Sequence, residues 1–253
     1  GAYLSLAPAA HVERFATYWF QSVKTYSALL LTSDFYERFL EWEYMLIHQL
    51  DALVFKDELV EWCLKGYDYI GAPWRQSARS AGPEHSGFYG VGNGGFSLRN
   101  INACRRVLMQ DSRLDVSLWW NRYGRTAGGW RRKCRAAISI ALKATGIRRR
   151  TVQNWLQGWY RGEDFFWGLD APLFDRKFNV APVEDAIYFA FETDLEVLSG
   201  YYEPRIPFGC HAPWNVRVAY QCLVERNPPG GVYNQRFWEI LQRAEQLRGV
   251  IRR

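Results

Sequence analysis

The run Leu46-Ile-His-Gln-Leu-Asp-Ala-Leu-Val-Phe55 constrains the fold most, because it places one carboxylate, Asp51, and Gln49 two residues before it, at the end of an apolar run. Residues Tyr44–Ile47 read as a strand that leads to Asp51. A strand delivers alternate side chains to one face, so Gln49 and Asp51 are predicted to point the same way. Strand ends in open α/β sheets line the crevice where ligands bind. The competing reading gives Asp51 an ordinary turn or capping role.

Four further strings share this mixture of apolar residues and turn chemistry: Gly66-Tyr-Asp-Tyr-Ile-Gly-Ala-Pro-Trp74, Val91-Gly-Asn-Gly-Gly-Phe-Ser-Leu-Arg99, Glu163-Asp164, and Pro207-Phe-Gly-Cys-His-Ala-Pro-Trp214. Tyr67–Ile70 is predicted as a short strand and 75–90 as a loop. Gly92, Gly94 and Gly95 around Asn93 suggest either a backbone that something approaches closely or a tight hairpin. Helix is expected over most of 11–43, with Thr32, Ser33 and Asp34 as capping candidates and Ser27–Leu31 as a short strand or buried turn. Further helices are expected from Lys56-Asp57 and after Asn100. Residues 181–183 and 186–192 read as a final strand pair, or as a strand plus a short helix. The whole predicts an α/β fold, a mixed sheet flanked by helices.

Charge is distributed unevenly. From Val116 to Gly162 there are eleven Arg or Lys and no Asp or Glu, within a chain of net charge +6. Trp130, Cys134, Ala137, Ile138, Ala141, Leu142 and Thr145 recur at helical spacing, so this segment reads as a basic amphipathic helix with Trp155 and Trp159 beyond it. Such a helix suits an anionic membrane surface, or is a solvated face. Nucleic acid is not expected as a partner, since the basic residues are confined to one insert without a recognition motif.

The predicted organisation is a domain over 1–215 containing a basic helical insert at about 111–160, followed by a helical tail over 216–253. The first clear strand comes only near residue 44, so the domain's first strands are expected upstream of Gly1. Five cysteines without CxxC spacing argue against a zinc ribbon and a disulfide framework. They point to a reducing, cytoplasmic setting, with membrane-surface association through the insert. No apolar run reaches the roughly 18 residues of a membrane span.

Spread along a chain, these strings have the make-up of a metal-dependent sugar-nucleotide site. Pyrophosphate calls for a divalent cation held by oxygen and nitrogen ligands, here Mn2+ or Mg2+. Asp51 is the first candidate ligand, with Gln49 beside it as an outer or ribose contact. His211 is the second, being the one histidine in a Gly-containing, Pro-flanked loop; a turn histidine bonded to backbone is the alternative. His48 should face away from Asp51, and His11 and His85 lack context. Glu163 or Asp164 could act as base toward an acceptor hydroxyl, or simply sit in a helix's first turn. Asn93 and Ser97 are candidate hydrogen-bonding groups for sugar hydroxyls, and Trp74 and Trp167 either stack on a sugar face or belong to the core.

In order and wording, the strings LIHQLDALVF, GYDYIGAPW, VGNGGFSLR, EDFFW, FE and PFGCHAPW resemble a domain-of-unknown-function family of predicted GT-A-fold glycosyltransferases of bacteria and viruses. The resemblance covers about residues 26–105 and 160–215. It implies a GT-A-like, Rossmann-related fold and transfer of a sugar from a nucleotide-sugar donor to a glycan or lipid-linked saccharide, as in polysaccharide biosynthesis. Gln49-Leu-Asp51 then stands where the metal-binding Asp-x-Asp motif lies, with Gln replacing the first Asp. His211 looks like the metal-completing His of glycogenin-like transferases, and Glu163-Asp164 like the acidic pair of inverting relatives. These likenesses imply opposite stereochemical outcomes. Donor binding would fall to Gln49, Asp51, Asn93, Gly94 and Gly95. The alternative is a decayed glycan-binding or interaction module.

Overall fold

The computed structural model describes residues 10–75, 87–112, 117, 151–159, 161–193, 195–198, 201–202 and 205–212. The predicted amphipathic face between Trp130 and Thr145, the 216–253 tail, and Pro213-Trp214 lie outside the described residues.

Capping residues divide the N-terminal region. A 3-10 turn, Thr17–Phe20, is followed by α1, Val23–Leu29, and α2, Ser33–Glu37. The Ser22 side chain accepts from the Thr25 amide, and that of Thr32 from the Phe35 amide. Each cap holds its own backbone extended, so each starts a new helix and ends any continuous one. Helix is therefore shorter than the periodicity over 11–43 predicts, and Ser27–Leu31 closes α1 instead of forming a strand.

The chain then forms β1, Tyr44–His48; β2, Ala52–Val54; α3, Leu59–Leu64; β3, Tyr69–Ile70; β4, Pro73–Arg75; β5, Phe88–Val91; and β6, Phe96–Asn100. Asn100 accepts from the Ala103 amide and so caps α4, Ile101–Met109. After α5, Val152–Trp155, comes α6, Glu163–Phe165, which runs through a π turn, Phe166–Asp170, into α7, Ala171–Phe174. The described chain ends with α8, Val183–Phe189; β7, Ala190–Phe191; α9, Leu195–Leu198; and β8, Gly209–His211.

The result is mixed α/β, built on three small sheets. β6 lies between β1 and β3, antiparallel to both; β8 lies between β2, antiparallel, and β7, parallel; β4 and β5 pair as an antiparallel ribbon. The first sheet is buried on both faces, and strand alternation sorts its residues. Phe96, Leu98 and Ile70 join Trp62 of α3, Phe189 of α8 and Phe208 on one side. Tyr69, with Met45 and Ile47 packed nearby, joins Leu29, Tyr36 and Val107 on the other. Trp62 meets Phe189 edge-on at 5.3 Å, an arrangement that adds about 0.5–1.5 kcal/mol beyond area burial.

Asp111 and Thr151 pair as an antiparallel bridge, so the two ends of the intervening basic segment are neighbours in space. Trp155 and Trp159 pack against the first core cluster, Trp155 within 5.0 Å of Phe174. No helix among the described residues is long and apolar enough to cross a membrane. Cys63, Cys104 and Cys210 are free thiols.

Candidate functional site

Strand register brings three distant residues together. In the second sheet Ala52 pairs with His211, so Asp51, one residue earlier, arrives beside the imidazole. On the other flank Phe191 pairs in parallel with Cys210, which places Glu192 next to His211. His211 Nε2 stands 3.2 Å from Asp51 Oδ1, and Nδ1 is 2.8 Å from Glu192 Oε1. The contact to Glu192 is an aligned hydrogen bond, whereas Nε2 is buried with no hydrogen-bond partner and would form an ion pair with Asp51 only when the ring is protonated. The backbone secures the junction. The Ala212 amide donates to the Asp51 carbonyl at 2.9 Å, and Ala212 takes a left-handed φ of 46° to do so. Burial pulls the imidazole pKa down, but the Glu192 hydrogen bond and the charges of Glu192 and Asp51 outweigh it, leaving His211 raised.

The structure corrects the expectation that Gln49 and Asp51 share a strand face. β1 ends at His48, and the Ala52 amide bonds the Gln49 carbonyl at 3.0 Å, closing a tight turn over Gln49–Ala52. Strand alternation does not apply in a turn. Asp51 turns to His211, whereas Gln49 acts on the Tyr26 hydroxyl, slightly offsetting the rise that burial gives its pKa.

The glycines of 92–95 make room for the protein's own side chains. A Cβ on Gly95 would collide with the His211 ring, and one on Gly94 would stand 2.8 Å from Glu163 Oε1. A Cβ on Gly92 would strike the Trp74 ring. The close approach that the glycine pattern predicts is therefore real, and the approaching groups are candidate site residues. Asn93 shapes the same loop: its Oδ1 accepts from the Gly95 and Phe96 amides at 2.9 and 3.1 Å. Its Nδ2 is buried without a partner.

The adjacent acids divide. Glu163 is 2% exposed, pairs with Arg99 Nη2 at 3.2 Å and accepts from the Ser27 hydroxyl at 2.6 Å. Arg99 is fully buried and also donates to Ser97 Oγ and the Tyr36 hydroxyl, each at 3.2 Å. Glu163 and Ser97 thus satisfy a buried cation. Asp164 is partly exposed and accepts from the Phe165 amide at 2.9 Å. Burial, then the charge of Glu163, pushes its carboxyl up to about 6. A carboxyl so poised can exchange a proton near neutral pH.

Trp167 is fully buried, stacked 5.6 Å from Phe178, and so belongs to the core. Trp74 stacks on Phe165 at 4.4 Å and on half-exposed Tyr89 at 5.8 Å, beside Asp164. His48 ends β1 with its ring 5.9 Å from that of Phe96; partial burial lowers its pKa, with Asp51 raising it and His211 lowering it further. Sequence reasoning missed Glu192 as a site residue. Its signal was its place directly after the apolar end of β7.

Residues 9–211 match the model of a family described as a protein of unknown function, DUF5672. The chain belongs to the DUF5672 family. The matched span contains Asp51, Asn93, Glu163, Asp164, Glu192 and His211. Neither the curated proteins nor the solved structures give a match.

Proposed function

We propose that this DUF5672 protein is a metal-dependent glycosyltransferase of GT-A-like architecture that uses a nucleotide-sugar donor. The observation that carries the reading is the meeting of Asp51 and His211 at 3.2 Å. The donor set fits a divalent cation: a carboxylate oxygen faces a buried imidazole nitrogen that has no hydrogen-bond partner, and the other ring nitrogen is engaged by Glu192. Among the described residues no group of three or more His, Cys, Asp and Glu could hold a metal ion. A two-residue set would suffice for Mn2+ or Mg2+, which commonly take one or two protein ligands and complete their shell with phosphate oxygens and water. When bound, such a cation neutralises the donor pyrophosphate and the charge that develops on the leaving nucleotide.

The chain's own residues supply the rest. Transfer breaks the bond between the anomeric carbon and phosphate oxygen, whose electrons leave with the nucleotide. A bond forms to the acceptor oxygen, and the acceptor hydroxyl proton goes to a base. Asp164 is that base, because its carboxyl is accessible while Glu163 is held by Arg99 and Ser27. Asn93 Nδ2, buried beside the Gly94-Gly95 floor, is a donor for a sugar hydroxyl. The basic segment 116–162 would dock on anionic lipid and present the site to a lipid-linked acceptor. Flotation with anionic liposomes at low salt tests the docking, and absence of binding removes it.

Asp51→Ala abolishes Mn2+-dependent release of nucleotide from a donor panel, with the circular dichroism spectrum unchanged. Undiminished turnover in that variant rejects the reading. A second reading, a glycan-binding module without turnover, is favoured by Gln49 standing where a second carboxylate would. Failure of the wild type to release nucleotide from any donor with Mn2+ would select it.

A further inference from the structure

Glu192 is outside the proposed ligand pair, yet it holds the His211 ring by the nitrogen opposite the one that faces Asp51. An ionised carboxylate only accepts hydrogen bonds, so the ring nitrogen 2.8 Å from Glu192 Oε1 must carry a proton. In a neutral imidazole the other nitrogen then keeps its lone pair. That other nitrogen, Nε2, is the buried one facing Asp51. Packing leaves the ring little freedom to exchange the two nitrogens, because it lies against the bare Cα of Gly95 and its strand is paired on both sides.

We infer that Glu192 is a positioning residue: by accepting Nδ1–H it fixes the tautomer and ring orientation of His211, so that Nε2 is offered to a divalent cation. The cation in this inference rests on the proposed metal-dependent reading; the tautomer does not. Carboxylates in this relation to a ligating histidine orient the ring and raise its basicity, and their loss typically costs 10–100-fold in metal affinity. The register explains why the role falls to Glu192, since the first residue beyond β7 is the neighbour of His211 in the parallel pair.

Nitrogen-15 NMR of the metal-free full chain, at a pH where the ring is neutral, reads the tautomer directly. The wild type should show His211 protonated on Nδ1. Glu192→Gln, whose amide oxygen still accepts, should keep that tautomer, and Glu192→Leu should lose it. Mn2+ titration followed by electron paramagnetic resonance should show binding weakened about 10–100-fold in Glu192→Leu and less in Glu192→Gln. Should the leucine variant not fold, Glu192→Ser, too short to reach the ring, replaces it. An Nε2-protonated wild type, or a leucine variant with unchanged tautomer or unchanged Mn2+ affinity, overturns the inference. A wild type that binds no Mn2+ rejects the metal reading instead, and the tautomer comparison alone then decides the role of Glu192.

Discussion

Asp164 shows how much a single position can alter the chemistry available to a chain. Its carboxyl, raised to about 6 by burial and by Glu163, binds a proton more readily folded than unfolded. Between about pH 4 and 6 the native state therefore holds the extra proton, so this residue's contribution to stability falls as pH rises through that window. Asp164→Asn should raise the melting temperature above wild type at pH 7.5, and the difference should shrink as pH falls from 6 toward 4. Paired thermal melts across pH check this. The same variant should lose about 10²–10⁴-fold in turnover, and the activity that remains should lack the wild-type rise as pH passes about 6. Gly95 makes the complementary point about space. Gly95→Ala forces the His211 ring to move, at a cost of about 1–3 kcal/mol by chemical denaturation. It should also abolish Mn2+ binding, which Mn2+ titration would show.

At the scale of elements, β6 carries two functions on its two faces. Phe96 and Leu98 build one core, while Ser97 and Arg99 project into the opposite layer, where Arg99 meets Glu163 from α6. Removing one partner leaves an unpaired buried charge. Arg99→Met alone should destabilise by about 3–5 kcal/mol in urea denaturation, with the double variant Arg99→Met, Glu163→Gln recovering part of that loss. The same elements show which features were legible beforehand. Asn100 as a cap, the strand near Tyr44 and the helix after it follow from local patterns. The turn at Gln49–Asp51 did not, because a three-residue break inside an apolar run looks like strand continuation until the Ala52 amide is seen bonded to Gln49. Trp167, Trp155 and Trp159 were ambiguous for a related reason: an aromatic residue has the same sequence signature in a core as on a binding surface.

For the molecule as a whole, the bridge between Asp111 and Thr151 bears on how the basic segment joins the core. Ends that are already adjacent close a short linker at little entropic cost. Replacing residues 113–150 by a Gly/Ser linker should leave cooperative unfolding and Mn2+ binding within error of wild type. Liposome flotation of the same variant should show anionic-lipid binding lost. The sequence by itself determined the mixed α/β class, the caps at Thr32 and Asn100, the uneven charge and the residue types of the candidate site, because each is encoded in local spacing and composition. Only the tertiary structure decided that Asp51, Glu192 and His211 meet, that Glu163 is spent on Arg99, and that the glycines make room for protein side chains. Those outcomes depend on strand register and close packing between segments far apart in the chain, and no local pattern carries that information.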